Sequence, residues 1–168
     1  MAARRQLVLF RIGREEFGID IIDTKEVMSM REITPVPETL EFVEGIMNLR
    51  GNLVPILDLR KRLRAGSSGP QGDRRIIIVN LSGRLTGLIV DSASEVLRIS
   101  DEAVLDPPEL ILEAGVDYIS GIVRLEGRIV SIIDMKKVFS GEIDLELEEV
   151  SRLLSGGRDR VDQHAQAV

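Results

Sequence analysis

The sequence predicts a mostly β protein in which two small β-barrels of five strands each pack against one another. Three observations predict this fold. The chain contains an internal duplication, its apolar residues are mainly Ile, Val and Leu, and its apolar runs are short and separated by turn residues. Aromatic residues make up only 3% of the sequence, with no Trp and one Tyr, so we expect an aliphatic core.

The duplication is clearest between residues 43–63 and 119–139, which align without a gap at an offset of 76. Eight of the 21 positions are identical, whereas ordinary composition gives roughly one or two. A weaker match precedes it, where residues 7–19 align with 76–88 at an offset of 69. The offset grows because the second copy carries extra residues around 106–108. We therefore expect two copies of one β unit.

Each copy is predicted to contain three short strands and then a hairpin. The three strands are expected at 7–12, 17–21 and 26–33 in the first copy, and at 76–81, 85–90 and 95–99 in the second. Arg50-Gly51 and Glu126-Gly127 lie between apolar runs, which is typical of a tight hairpin turn with positive φ at glycine. Pro55 predicts an edge strand or a bulge, because a central strand needs every N–H.

Closure of each unit into a barrel follows from the number of strands. Five strands in an open sheet leave exposed edges, which a small closed barrel removes. Near-continuous apolar runs at 76–79 and 130–133 indicate strands that are buried on both faces. This predicts a third core between the two barrels. Short helices are expected after Asp58 and Asp134, with these residues as N-caps.

The domain organisation is predicted to be a single duplicated domain. We expect the domain at 1–154, its copies at about 14–64 and 75–140, a Gly/Ser/Pro linker at 65–73, and exchange of a terminal strand between the barrels. Apolar residues near helical spacing predict a C-terminal helix at 143–154. The polar residues 155–168 predict a disordered tail.

Composition excludes several functions. A formal net charge of −6 argues against a protein that follows a nucleic-acid backbone. The sequence contains no Cys, so it has no disulfides or thiolate metal sites. No apolar stretch is long enough to cross a membrane and no secretory leader is evident. We therefore expect a cytoplasmic protein that does not insert into the membrane.

Catalytic chemistry also lacks support in the sequence. The single histidine, His164, lies in the polar tail, and no phosphate-binding glycine motif is present. Asp58 and Asp134 would have to serve as an acid and base pair, but capping explains their duplicated placement better. The basic run at 60–62, together with Arg64, could form a phosphate-binding patch, but in a net-acidic chain it is expected to be a solvated face. We predict no catalytic, cofactor-binding or metal-binding residues.

The motifs closely resemble the CheW family of bacterial chemotaxis coupling proteins. The resemblance rests on E-x-F-G-I-D-I at 15–21, on N-L-R-G at 48–51 and on V-P-I-x-D-L-R at 54–60. It implies two SH3-like barrels and a scaffold role without catalysis. The implied partners are the regulatory domain of the histidine kinase CheA and the cytoplasmic tip of chemoreceptors, with recruitment to receptor arrays at the membrane.

The resemblance also implies candidate protein-binding residues. Arg50 is the leading candidate, since packing does not require a long cation on a hairpin turn and its counterpart Glu126 has the opposite charge. Glu26 and Thr24 occupy family positions associated with receptor binding. Glu95 repeats Glu26 in the second copy, which also fits a structural role.

Further candidates flank the same hairpin or precede it. Asn48 and Gly45 lie beside the turn, although Gly45 also fits a backbone requirement that Gly121 shares. Apolar surface is expected to contribute most of the binding. We expect exposed side chains near Ile33, Val36 and Val43 that face the kinase.

Two other functions are compatible with part of these observations. The first keeps the adaptor class but places it in another CheA-type phosphorelay, such as one that controls pilus motility. The second is a small nucleic-acid-binding barrel, which the negative charge and the scarcity of stacking aromatics disfavour.

Overall fold

The computed structural model describes residues 4–37, 41–63, 73–139 and 152 of the chain. These residues are mostly β, as predicted. The strands are β1 (Arg4–Ile12), β2 (Glu15–Asp20), β3 (Thr24–Ser29), β4 (Val43–Leu49), β5 (Asn52–Asp58), β6 (Arg75–Leu81), β7 (Arg84–Val90), β8 (Ser92–Ser100), β9 (Val104–Leu105), β10 (Ile119–Leu125) and β11 (Arg128–Ile133). The helices are α1 (Leu59–Leu63), α2 (Glu109–Glu113) and α3 (Met135–Val138), and 3-10 turns span Ile21–Asp23 and Asp101–Ala103. The predicted helix at 143–154 (except residue 152), the tail at 155–168 and most of the linker at 65–73 lie outside the described residues.

The strands form two curled sheets, each closed around its own core. Barrel 1 is the five-stranded sheet β3-β6-β7-β5-β4, and barrel 2 is the six-stranded sheet β8-β1-β2-β11-β10-β9. The sixth strand of barrel 2 is only two residues long. Its counterpart in barrel 1 is a single bridge between Thr34 and Ile46. The two barrels are therefore versions of one architecture.

Each barrel contains strands from both copies of the repeat. Barrel 1 combines β3, β4 and β5 of the first copy with β6 and β7 of the second, and barrel 2 combines β1 and β2 with β8 to β11. We expected exchange of a terminal strand, and the structure exchanges the first two strands of each copy. A copy of the sequence repeat is therefore not a barrel.

The exchange is reciprocal, which gives the molecule a pseudo-two-fold axis. Leu7 of β1 pairs with Leu97 of β8, and the equivalent Ile76 of β6 pairs with Met28 of β3. The parallel contacts agree as well, since β11 joins β2 and β5 joins β7 with the same register. Such an arrangement is isologous, as in a symmetric dimer fused into one chain.

Three buried clusters fill the molecule. The core of barrel 1 contains Met47, Leu49, Val54, Ile56, Ile76, Ile78 and Ile89, and that of barrel 2 contains Leu7, Leu9, Ile99, Val123, Val130 and Ile132. A larger central cluster lies between the barrels and includes Phe10, Phe17, Leu57, Ile77, Leu88 and Ile133. Because side chains alternate along a strand, β6 contributes Ile76 and Ile78 to barrel 1 and Ile77 to the central cluster.

Of the two alternatives predicted for Pro55, the edge strand is wrong, whereas the ladder of its strand with β4 has a register shift between Val43 and Gly45, next to the Ile46–Pro55 pair. Its strand β5 is not an edge, because it lies between β7 and β4 in the sheet. The ladder between β5 and β7 begins at Ile56, so Pro55 precedes the first residue that pairs with β7. A central strand accommodates proline when no ladder partner requires its missing N–H.

Candidate functional site

The β4–β5 turn displays the leading candidate, Arg50. Leu49 pairs with Asn52, so Arg50 and Gly51 form a two-residue loop. Their φ angles are 51° and 86°, which define a type I′ turn. The side chain of Asn48 accepts a hydrogen bond from the Gly51 N–H at 2.9 Å. Asn48 is thus explained by the turn, in addition to any contact with a partner.

A second type I′ turn, at residues 80–83, shows which residues of the N-L-R-G motif the turn geometry requires. The sequence N-L-S-G at 80–83 joins β6 to β7, and φ is 50° at Ser82 and 86° at Gly83. Asn80 accepts a hydrogen bond from the Gly83 N–H at 2.8 Å, as Asn48 does. The third position of the motif is Arg in one turn and Ser in the other. Nothing in the turn geometry therefore requires arginine at position 50.

Arg50 is held at the open end of barrel 1 by Glu26. Its Nη2 atom lies 3.1 Å from Oε2 of Glu26 on β3, and the side chains are 72% and 29% exposed, respectively. Oε1 of Glu26 is buried and has no hydrogen-bond partner among the described residues. The pair joins the β4–β5 turn to strand β3, two parts of the sheet that barrel closure brings together. We call these two residues the barrel 1 rim.

Barrel 2 contains an equivalent ion pair at a different position. Arg128, the first residue of β11, lies 2.8 Å from Glu95 and 3.4 Å from Glu16. The hydrogen bond to Glu95, more than any other interaction, raises the pKa of Arg128. Glu95 is the repeat counterpart of Glu26, but Arg128 is the counterpart of Asn52 and not of Arg50. We call Glu95 and Arg128 the barrel 2 rim.

Thr24 and Gly45 have structural roles in the described residues. Thr24 begins β3, and its hydroxyl donates to the Asp20 carbonyl at 3.3 Å. Gly45 has φ of 147°, and a Cβ atom there would overlap the backbone carbonyl of Thr34. Gly45 is therefore a backbone requirement, whereas its counterpart Gly121 has no positive φ and faces a side-chain methyl of Val104.

The expectation of exposed side chains at Ile33, Val36 and Val43 is wrong at Val43. That residue is only 8% exposed, pairs with Leu57 across the sheet and belongs to the central cluster. A register shift after Val43 lets it face the same cluster as Leu57. Ile33 is half-buried against the core of barrel 1, and Val36 is half-buried.

Apolar surface lies elsewhere, at positions that the sequence reasoning did not single out. The exposed large apolar side chains are Ile22, Val27, Met30 and Leu53 of the first copy and Val96, Leu105, Leu110, Leu112 and Ile129 of the second. Leu110 and Leu112 lie on α2, directly after the extra residues around 106–108 that change the repeat offset. In the sequence, the change of the repeat offset from 69 to 76 was the one feature that pointed to this additional surface in the second copy.

A groove of about 700 Å³ is lined mainly by barrel 2, with Leu63 of α1 at one side. Its apolar lining consists of Phe17, Leu63, Ile111, Val116, Tyr118, Ile119 and Ile129. Three arginines and two glutamates also contribute: Arg11, Arg14, Arg128, Glu15 and Glu16. Burial raises the pKa of the Tyr118 phenol, which keeps it neutral. The lining suits an amphipathic segment of a protein partner.

Asp58 and Asp134 act as N-caps, as predicted. Asp58 accepts a hydrogen bond from the Arg60 N–H at 3.0 Å, and Asp134 accepts one from the Lys136 N–H at 3.0 Å. Asp58 is only 1% exposed, and both of its oxygens also accept hydrogen bonds from the Arg60 guanidinium. A carboxylate held in this way is not free to act as a general base.

The basic run at 60–62 is a solvated face at Lys61, which is exposed, but not at Arg60 and Arg62. Arg60 is 11% exposed, and its hydrogen bonds with Asp58, together with Asp91, raise its pKa above the usual value. Lys61 pairs with Glu44 at 2.7 Å. Arg62 donates to the Val138 carbonyl at 3.1 Å and lies over the Phe42 ring. Each side chain of the run is therefore engaged.

No group of three or more His, Cys, Asp or Glu residues is arranged to hold a metal ion in the described ranges. No helix in the same part of the chain is long and apolar enough to span a membrane.

These features define a class: duplicated two-barrel β proteins with exchanged strands, a shared central core and exposed apolar surface on both barrels. The CheW-like domain family model matches residues 6–142. The chain is 36% identical over 152 residues to the chemotaxis protein CheW of Treponema pallidum, which covers 88% of each chain. Protein FrzA of Myxococcus xanthus is 29% identical over 124 residues, or 73% of this chain and 76% of that protein.

A solved structure agrees with this assignment. The crystal structure of the scaffolding protein TtCheW from Thermoanaerobacter tengcongensis has a TM-score of 0.74 and 36% sequence identity, and the match covers 84% of this chain and 96% of that chain. The chain belongs to the CheW family of chemotaxis scaffold proteins.

Proposed function

We propose that the chain couples the cytoplasmic tip of chemoreceptors to the regulatory domain of the histidine kinase CheA, at receptor arrays, without catalysing a reaction. Arg50 supports this proposal most directly. The chain keeps a long cation in the left-handed region, where an L-residue costs about 1–2 kcal/mol, and its side chain is 72% exposed. The equivalent turn at 80–83 is built without arginine.

The apolar surfaces supply the rest of the proposed interface. Leu53 faces the same side of barrel 1 as Asn48, its partner in the ladder, and it is 38% exposed. Barrel 2 presents Leu110 and Leu112 on α2. Exposed apolar side chains with charged neighbours are typical of protein-binding surfaces, in which the charges set register and specificity. One such surface on each barrel gives a scaffold access to two partners.

Absence of catalysis is part of the same proposal. Asp58, the buried member of the proposed acid and base pair, is bound at both oxygens by Arg60. Asp134 caps α3. These contacts give both residues a structural role, which supports an adaptor in which they do not serve as an acid and base pair.

The test is reconstitution of kinase autophosphorylation with receptor, CheA and this protein. We expect the parent protein to couple receptor to kinase, and Arg50→Glu to lose coupling and partner binding with thermal unfolding nearly unchanged. Ser82→Glu is the matched control, because it places the same charge on the same type of turn in the same barrel. The proposal is wrong if the parent protein binds neither partner, and Arg50 is not involved if both variants couple normally.

A related adaptor role is favoured by one comparison. FrzA of Myxococcus xanthus is similar to this chain but is not called a chemotaxis protein CheW, so the family extends beyond the proteins of that name. If the parent protein binds a CheA-type kinase from another phosphorelay and not the chemotaxis kinase, the adaptor class holds and the pathway changes.

A further inference from the structure

Arg60 is the centre of a buried charge network between the two barrels. Its guanidinium lies 2.8 Å from Asp58 and 3.2 Å from Asp91, and the three side chains are 11%, 1% and 8% exposed, respectively. Asp91 also accepts a hydrogen bond from the Gly13 N–H at 2.6 Å. Its own N–H donates to the Arg11 carbonyl at 3.0 Å.

These contacts connect one barrel to the other. Asp58 ends β5 of barrel 1, whereas Gly13 and Arg11 belong to the β1–β2 hairpin of barrel 2. Asp91 lies between β7 and β8, where the chain crosses from barrel 1 to barrel 2. The network therefore fixes a crossover of the chain to elements of both barrels.

Among the residues that the structure describes, the second crossover has no equivalent network. The chain crosses from barrel 2 to barrel 1 at Ile21–Asp23, between β2 and β3. The repeat counterpart of Asp91 there is Ile22, which is 82% exposed. The counterpart of Arg60 is Lys136, which is exposed, and within the described residues the side chain of Asp134 is recorded with its capping bond to the Lys136 N–H and with no arginine.

Other contacts between the barrels restrain their orientation less. The central cluster is large, but apolar packing has little directional preference. The hydrogen bond from Arg62 to Val138 joins residues that are 76 positions apart, which are counterparts in the repeat. Arg62 and Val138 are equivalent positions, so the midpoint between them lies on the pseudo-two-fold axis. A bond at the axis opposes rotation about that axis only weakly.

We infer that Arg60 is a positioning residue that locks the relative orientation of the two barrels at one crossover, and that the adaptor needs this fixed orientation to couple its partners. Directional bonds from a planar guanidinium to two carboxylates suit this role, since buried ionic groups contribute more to conformational specificity than to stability in some proteins. The coupling part of the inference rests on the proposed function, and the orientation part does not.

The orientation part is tested by distance measurement between spin labels. The chain has no cysteine, so Ser29→Cys on barrel 1 and Arg124→Cys on barrel 2 place one label on each. Both positions are exposed. We expect a narrow distance distribution in the parent and a broader or shifted one in Arg60→Lys, which keeps the charge but not the planar fork.

Two further variants keep this test decisive. The triple variant Asp58→Asn, Arg60→Met and Asp91→Asn removes every charge of the network and leaves no carboxylate unpaired. Lys136→Met is the matched control at the second crossover. We expect this variant to have the same distance distribution between the spin labels as the parent. An unchanged distribution in the folded Arg60 variants overturns the inference. Failure of both to fold overturns it too, because the network would then be needed for folding and not for orientation.

The coupling part has a separate readout. A folded Arg60→Lys protein should bind a CheA regulatory domain and a receptor tip with parent affinity, yet lose stimulation of autophosphorylation in the reconstituted system. Parent-level stimulation with an altered distance distribution would overturn this part alone. Failure of the proposed function looks different, because the parent protein itself would then fail to bind or couple.

Discussion

The two barrels have a glutamate at equivalent positions of equivalent strands, but the arginine that pairs with it comes from a different position in each barrel. Glu26 and Glu95 are repeat counterparts on β3 and β8, and each pairs with an arginine of the neighbouring hairpin. At the barrel 2 rim the arginine is the first residue of a strand and is 37% exposed, with two carboxylates around it. At the barrel 1 rim it is on the tip of the turn and 72% exposed.

This difference separates what the fold needs from what the surface presents. An ion pair at this point does not require the cation to occupy a strained turn position, since barrel 2 forms the pair from a strand. Barrel 1 instead has arginine where an L-residue is unfavourable, and in the described part of the chain one carboxylate, that of Glu26, contacts it. The extra exposure at the barrel 1 rim supports the proposed function, in which Arg50 contacts a partner.

The largest expected effect on the free energy of unfolding comes from substitution of Gly45, and its counterpart Gly121 gives the comparison. A methyl group at position 45 would overlap the Thr34 carbonyl and lie 2.9 Å from Pro35 Cα, at a φ that favours glycine. At position 121 it would meet a side-chain methyl of Val104 at 2.5 Å, which is able to move. Gly45→Ala should lower the free energy of unfolding by about 3 kcal/mol or more, and Gly121→Ala by about 1–2 kcal/mol.

Denaturant titration of both variants measures this difference. Equal losses would show that the two barrels constrain this position alike, despite the bridge between Thr34 and Ile46 that gives barrel 1 its backbone contact. Such a result would also weaken the structural interpretation of Gly45 and return it to the list of candidate binding residues.

The sequence was sufficient to predict the strands, turns and caps of both barrels. It was insufficient to predict which strands pair with one another. Strand and turn patterns are local, so the hairpins and the caps at Asp58 and Asp134 could be predicted from spacing. An alignment of two copies does not specify which copy supplies a neighbouring strand. The exchange of β1, β2, β6 and β7 depends on long-range register, which no local pattern encodes.

The same limit applies to the candidate site. Arg50 and Glu26 were both singled out, but their contact required the closed barrel. Val43 was misplaced because alternation along a strand does not distinguish a solvent face from a second core, and this strand faces two cores. The network of Arg60 was missed because Asp91 is far away in sequence and lies outside every motif.

A smaller effect is expected from Arg50→Asn, which tests the cost of arginine in the turn. Asn-Gly is the residue pair that type I′ turns prefer, and asparagine tolerates the left-handed region. Relief of strain should exceed the loss of one exposed ion pair, so unfolding free energy should rise by about 0.5 kcal/mol while partner binding weakens. Thermal and denaturant unfolding report stability, and binding of a CheA regulatory domain or a receptor tip reports function.

Ser82→Asn is the matched control for this variant. It changes the equivalent position of the β6–β7 turn, where no ion pair is lost, and should raise stability without altering binding. A stability loss above about 1 kcal/mol in Arg50→Asn alone would mean that barrel 1 depends on arginine for its own closure. The contrast between the two rims would then be one of architecture and not of partner binding.

The smallest expected effect is the coupling within each rim, which double-mutant cycles isolate. Glu26→Gln, Arg50→Gln and the double variant should give a coupling of about 0.2–1 kcal/mol, because the pair is exposed to solvent and to salt. The cycle of Glu95 and Arg128 should give the larger coupling, since its atoms are closer, 2.8 Å against 3.1 Å, and its arginine is less exposed. If Glu26 and Arg50 instead couple more strongly, their contact is a closure element of barrel 1, and the exposed guanidinium is not held available for a partner.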